Sequence, residues 1–492
     1  MEPENLRLGG GVSQTVFNPV VAIVVIIAGL LIWFLPRNKA FVPFLVVSIL
    51  IPIDQIVLIG VFHFPVIRIL IFFGLIRIAW TKFSSKTEFF AGGMNAIDWT
   101  VILLSLTTAL TGILLWKILQ AYIYELGDIY STLGLYFVLR FFIRDESDVR
   151  RSIRIFAYIS AVTALLMVYE QATGQNLVYT ILQGAKAATL GSAMERDNRF
   201  RAAGSFGHPI LAGTFGAILL PLFFGLWLKY KQDRKVAVLG ILSATVIPIA
   251  ANSSTPMLGY MAGLMALCLW PVRGFMRLIR WGIVLTLVSL HMAMKAPVWH
   301  LISRIDLAGG SSSYHRYELV NQCILHFKDW WLVGVKSTFD WGWDMWDTAN
   351  QYVSTADHSG LVPLLLFLAI IVYGFKSVGA SRKAVEKEDK KSGLMFWALG
   401  AALFANVVSF VGISYWDQTA VAWYGLLAMI TAAKFAVPAE ATATAPVQAV
   451  SAAPVELKMP LTPAPAPQAA ARPLNSYGRM VTGRWPPRST TK

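Results

Sequence analysis

The sequence is short of charge and of cysteine. Only 14% of its 492 residues are Asp, Glu, Lys or Arg, against about 25% in an average globular chain. A soluble protein must cover its surface with polar groups, so this scarcity argues against a soluble enzyme and against a disordered chain. The two cysteines, Cys268 and Cys323, fall in segments expected on opposite sides of a bilayer, which argues against a disulfide framework and a cysteine-based zinc centre. No short-period repeat is visible. What is abundant is apolar: 56% hydrophobic residues and a mean hydropathy of +0.59. These figures predict an all-α polytopic transmembrane helix bundle.

A membrane span needs about 20 mostly apolar residues. Thirteen runs qualify, near 17–35, 41–59, 62–80, 96–116, 128–143, 153–171, 208–228, 236–251, 255–270, 276–294, 359–375, 394–412 and 416–436, so 12–13 spans are expected. The first run continues into Trp33-Phe34-Leu35-Pro36 and lacks the small-residue site of a cleaved leader. Lys and Arg are unevenly shared between alternate loops, 29 on one side and 10 on the other, leaving Arg7 aside. The richer side is cytoplasmic by the positive-inside rule. Loops 172–207 and 295–358 then face outward, the second being large and helical, and the C-terminus is cytoplasmic. The net charge of +15 is spread as punctuation between apolar runs, which argues against a nucleic-acid partner. The chain divides into a bundle, 1–436, and an Ala/Pro-rich tail, 437–492, expected to be disordered.

Candidate chemistry gathers at the outer loops. The stretch Arg201-Ala202-Ala203-Gly204-Ser205-Phe206-Gly207-His208-Pro209 precedes an apolar helix, and Pro209 suits a first helical turn. Arginine offers a fork of donors matched to phosphate oxygens; the bland alternative is snorkelling and a capping turn. In the large loop, Ser311–Ser313 can cap a helix. Tyr314, Tyr317, Val320, Cys323, Ile324 and Phe327 then recur at helical spacing as one apolar stripe, with Arg316 off the stripe beside His315. Trp330, Trp331, Trp341, Trp343 and Trp346 can stack on sugars, but read better as residues of a membrane interface. Asp340, Asp344 and Asp347 lack the glycine and terminal glutamate of an EF-hand loop, which argues against metal binding. Arg77 sits where it can snorkel, whereas Arg68 lies deeper in the third run and is a functional candidate. Pro65, three residues before it, is placed to open a local break.

Three stretches together resemble the bacterial O-antigen ligase and polymerase family, which includes exopolysaccharide polymerases. The first is Arg201–Pro209, similar to that family's Arg-x-x-Gly-x-Phe…Pro helix start. The second is Arg316 followed by Asp329-Trp330-Trp331-Leu332-Val333-Gly334-Val335. The third is Asn350-Gln351-Tyr352 followed by Gly360-Leu361. The resemblance covers roughly residues 150–436. Where the family has a histidine before Asn this chain has Ala349, and His358 replaces its glutamate before x-Gly-Leu. Lys336 stands for a glycine, and Ser254-Thr255-Pro256 lacks the family's arginine.

The resemblance implies a multi-pass protein of the bacterial inner membrane that uses no metal or other cofactor. It would transfer a glycan from undecaprenyl diphosphate to a glycan or lipid acceptor hydroxyl at the outer face, inverting the anomeric carbon. Membrane lipids and other polysaccharide-export proteins are the further partners it suggests. Arg201, Arg316 and Arg68 are the candidates to grip the diphosphate, since fixed cations can stabilise a leaving group that is already anionic. His358, His208 and His315 are the candidates to orient or deprotonate the acceptor. Two other readings compete. A transporter or flippase would share the spans, though no internal repeat or paired broken helix is visible. A scaffold would leave Arg68, Arg201 and Arg316 without a purpose.

Overall fold

The structure, a computed structural model, describes residues 12, 14–84, 89–196, 198–304 and 313–433. The segment 437–492, expected to form the tail, lies outside the described residues, as do Ser311 and Ser312.

The fold is an all-α bundle. In chain order the elements are α1 (Pro19–Phe34), α2 (Arg37–Leu50), β1 (Ile56–Ile59), β2 (Phe62–Pro65), α3 (Val66–Ser84), α4 (Ala96–Trp116), α5 (Leu119–Phe142) and α6 (Glu146–Thr173). The short α7 (Leu177–Leu182) and α8 (Ala187–Leu190) follow, then β3 (Met194–Arg196) and β4 (Arg199–Arg201). Next come α9 (Pro209–Lys229), α10 (Arg234–Ala250), α11 (Ser254–Cys268) and α12 (Met276–Ala293). The large loop holds α13 (Ser313–Leu325), α14 (Phe327–Trp330) and α15 (Gln351–Ser359); α16 (Leu361–Val385), α17 (Lys390–Ser409) and α18 (Thr419–Ala433) close the bundle.

Each of the thirteen apolar runs carries a helix, with two changes of boundary. The run 41–59 is helical only to Leu50; its end forms β1, which turns at Gly60 into β2 at the start of the run 62–80. Pro65 ends β2 and α3 starts directly after it, so no helix is broken there. Conversely, α5 begins at Leu119, inside what reads as the loop 117–127. Among the described residues, six helical segments are long and apolar enough to cross a membrane: Ala96–Trp116, Glu146–Thr173, Pro209–Lys229, Trp270–Ala293, Leu361–Val385 and Lys390–Ser409. Their outer faces suit lipid: none of the residues of α12 is buried, and Ile23, Ile26, Ile27 and Leu30 of α1 are all more than half exposed. Exposed apolar area on this scale marks a membrane-facing surface.

Local chemistry fixes the helix ends. Asn95 caps α4 in a reciprocal capping box with Asp98, and Asp145 caps α6, which ends on Gly174 in the left-handed region. Helix α9 is the centre of the bundle, packed by α10, α11 and α17. Gly213 lets the α11 start approach closely, since a Cβ there would lie 2.6 Å from Pro256 Cγ. Arg140, fully buried, holds Asp98 at 3.5 Å, and the Tyr136 hydroxyl donates to the same carboxylate at 2.5 Å.

Candidate functional site

The stretch after β4 is tied down along its whole length. The Ala202 amide donates to Ala250 at 3.1 Å, and the Ala203 and Gly204 amides donate to one oxygen of Glu170 at 3.0 and 2.8 Å. The Ser205 hydroxyl donates to Ile49, and the Gly207 amide to Asp417 at 3.3 Å. Burial raises the Asp417 carboxyl to about 6, against the amides that hold it down. Arg201 therefore enters the interior on a fixed backbone. It is 8% exposed, and its Nε donates to the Ala251 carbonyl at 3.4 Å. Its Nη2 is buried without a hydrogen-bond partner among the described residues. Burial and the nearby Arg196 lower its guanidinium to about 10, so it stays charged at neutral pH.

His208 is the N-cap of α9: its Nδ1 accepts from the Ile210 amide at 3.1 Å. That bond requires the neutral ring. Burial, and then the charge of Arg201, lower its pKa to about 4. His208 thus spends one ring nitrogen on structure, which speaks against the catalytic role considered for it.

Arg316 is the second buried arginine, at 7% exposure. The expected apolar stripe of α13 is overturned. The buried face is Ser313, Arg316, Leu319 and Cys323, whereas Tyr314, Ile324 and Phe327 are exposed. The spacing is helical, as expected, but Arg316 lies on the packed face and not off it. A Cβ at Gly412 would stand 3.1 Å from Arg316 Nε and would overlap Thr255 Oγ1. Arg201 donates to Ala251, and Gly412 lies close to both Arg316 and Thr255 at the start of α11. His315 bonds the Asp347 carbonyl at 3.0 Å. The Asp347 carboxyl is raised by burial and partly held down by His315 and Arg316.

The tryptophans divide. Trp330 and Trp341 are buried with Leu319, Cys323, Met345, Val353 and Ala356 in a small core of the loop's own, while Trp331, Trp343 and Trp346 are exposed. The interface reading therefore fails for the first two. This core joins the second and third resemblance stretches. The Val335 amide donates to Asp357 at 2.7 Å and the Leu361 amide to Trp331 at 2.9 Å, clamping the turn 331–335 onto the end of α15.

His358 sits at that clamp, 39% exposed. Its Nδ1 lies 2.8 Å from the Ser354 carbonyl and 2.6 Å from Oδ1 of the fully buried Asp357. Two acceptors at Nδ1 place the proton there and leave Nε2 as a base. His358 lines a cavity of about 270 Å³, with Glu125, Asp128, Gln351, Tyr415 and Trp423 among its other walls.

The loop 410–418 touches both groups. Phe410 and Tyr415 line the His358 cavity. Gly412 touches Thr255 and Arg316, and Asp417 receives Gly207. Asn350 and Gln351 grip this loop through Val411, Phe410 and Tyr415. All three resemblance stretches thus pack around one segment. Arg68 is placed elsewhere. Its Nε donates to Ser131 Oγ at 2.8 Å and its Nη1 to His63 O at 2.7 Å, on the α3–α5 side with Asp128.

Sequence reasoning missed Glu125, Asp128, Asp357, Glu170 and Asp417. Only Asp357 carried a local signal, its position next to His358. No family model and no curated protein matches the chain.

Proposed function

We propose that the protein is a membrane glycosyltransferase that extends a polysaccharide from a glycan carried on undecaprenyl diphosphate, at the outer face of a bacterial inner membrane. The observation that carries this reading is the pair of buried arginines, Arg201 and Arg316, and an Asp357–His358 pair gathered around one segment, the loop 410–418 with its contacts to the 251–255 stretch. Two fixed guanidiniums suit a diphosphate, whose charge rises as it leaves. His358 Nε2 takes the proton of the acceptor hydroxyl. The acceptor oxygen then attacks the anomeric carbon from the face opposite the leaving group. The bond from that carbon to the diphosphate oxygen breaks, and the lipid diphosphate departs with its electron pair against Arg201 and Arg316. Asp357 keeps the imidazole oriented and stabilises its protonated form.

We favour polymerisation over ligation because Ala349 stands where the ligase pattern has its loop histidine. A second reading, a flippase or transporter without glycosyl transfer, draws support from the acidic walls that Glu125 and Asp128 give a cavity inside the bundle. The test is the glycan profile of cells lacking the chain. Polymerase activity predicts loss of long chains with single units retained, restored by the wild-type chain and not by the Arg201→Ala variant. Intact long chains left on the lipid carrier would mean ligation, and unchanged glycans would overturn the reading.

A further inference from the structure

The cavity beside His358 has two kinds of wall. Trp116, Tyr124, Trp423 and Tyr424 give it aromatic faces. The same lining includes polar groups without partners among the described residues. Glu125 is 7% exposed and makes no hydrogen bond or ion pair among the described residues. Its carboxyl fits against Gly112, where a Cβ would overlap Oε1. Asp128, one turn further along α5, feels the charge of Arg68, but no cation faces Glu125 in this way. Independently, Ser105 of α4 lines the same space, is 2% exposed, and its hydroxyl has no partner. Buried polar groups are almost always hydrogen-bonded, and leaving one unpaired is unfavourable.

We infer that this cavity holds the terminal ring of the acceptor glycan and selects a pyranose that carries no acidic group. The inference rests on the glycosyl-transfer reading only in calling the ring the acceptor; the ligand chemistry comes from the walls. The Glu125 and Asp128 carboxyls offer several acceptor sites each, which suit the hydroxyl or ammonium donors of a sugar. The aromatic faces match the C–H face of a sugar ring. At about 270 Å³ the space is just below the usual range for small-molecule sites, suited to a ring and not to a chain. A uronic acid would crowd a third carboxyl against Glu125 and Asp128, where Arg68 acts on Asp128 and Lys336 stands over the Trp116 ring, but no cation among the described residues meets Glu125. His358 borders the same cavity, so a hydroxyl of the bound ring can reach the base.

The experiment uses the full chain in detergent and saturation-transfer NMR with three probes: methyl glucopyranoside, glucosamine and methyl glucuronopyranoside. The neutral and amino sugars should bind and the glucuronoside should bind at least about tenfold more weakly, a difference of about 1.4 kcal/mol. Glu125→Gln should bring the three within about threefold of one another, and Thr108→Trp, which fills the space, should abolish binding. Should Glu125→Gln fail to fold, Asp128→Asn tests the same selection from a half-buried position. Binding by none of the three sugars, equal binding of the glucuronoside, or selection unchanged in both carboxylate variants overturns the inference. The two proposals fail separately. Arg201-dependent polymer synthesis without sugar selection removes only the cavity assignment, and selective binding without synthesis removes only the transferase.

Discussion

Gly334 lies directly against the backbone of His358. A Cβ at residue 334 would stand 2.6 Å from the His358 carbonyl carbon and 2.6 Å from the Asp357 carbonyl oxygen, and φ at Gly334 is +88°. The turn 331–335 therefore sets the height at which His358 meets the cavity. Gly334→Ala combines an unfavourable backbone region, about 1–3 kcal/mol, with a clash against a backbone that cannot give way. We expect a lower unfolding temperature and a loss of polymer synthesis beyond what protein abundance explains. Gly60→Ala is the control, because φ there is +61° but the space is open; it should show the backbone effect and keep activity. Equal behaviour of the two variants would detach Gly334 from the position of His358.

The two arginines give a sharper result. Charged hydrogen bonds are worth about 1.5–3 kcal/mol each, and bonds that strengthen as the diphosphate departs act on turnover. Arg201→Ala and Arg316→Ala should each lower the rate about ten- to more than a hundredfold, at about 1.4 kcal/mol per tenfold. Lysine should restore little at either position, because a point charge does not reproduce the guanidinium fork. Near-normal rates with lysine at both would reduce them to buried structural charges with no part in gripping the diphosphate.

Glu170 is expected to act on the site through the backbone. Its carboxylate receives the Ala203 and Gly204 amides, and Asn176 Nδ2 donates to the Gly204 carbonyl at 2.9 Å beside it. Glu170→Ala leaves two buried amides unpaired, at about 1–3 kcal/mol for each such group. The measurable outcome is reduced stability together with reduced activity, whereas Glu170→Gln, which keeps one acceptor oxygen, should recover most of the stability. Wild-type stability in the alanine variant would show that the Arg201 stretch is held by its other bonds.

Hydropathy made the bundle legible, because each apolar run is long enough to be a helix whatever it packs against. It misplaced the hairpin 56–65, since apolar strand and apolar span look alike to an average. It cut α5 short because Glu125 resembles a loop residue; the structure shows it lining an interior cavity with Asp128. On α13 the side chains marked as apolar were not the ones buried. Arg316 is packed because of where Gly412 and Thr255 approach it, which is long-range information. Arg201, Arg316 and His358 stood out by type and motif. Their supports, Asp357, Glu170 and Asp417, are ordinary acids whose partners lie far along the chain or, for Asp357, next to a histidine of unmarked orientation.

His208 makes a prediction about pH. Its ordinary value of 6.5 falls to about 4 in the folded chain, through burial and the charge of Arg201. Between these values the unfolded chain binds a proton that the folded chain does not. Stability contributed by neutral His208 is therefore complete above about pH 6.5 and is lost as pH falls towards 4. The structural reason is the Nδ1 acceptor of the Ile210 amide, which protonation removes from the α9 cap. His208→Asn should keep the cap, since asparagine is a favoured N-cap residue, and should flatten the pH dependence of the unfolding temperature over that window. Arg201→Ala should make that pH-dependent loss smaller and end it at a higher pH than in the wild type, because Arg201 is one of the two causes of the depressed value. Activity in His208→Asn should stay within a few-fold of wild type, as befits a capping residue. A collapse of synthesis at normal abundance and stability in that variant would restore His208 to the candidates for the base.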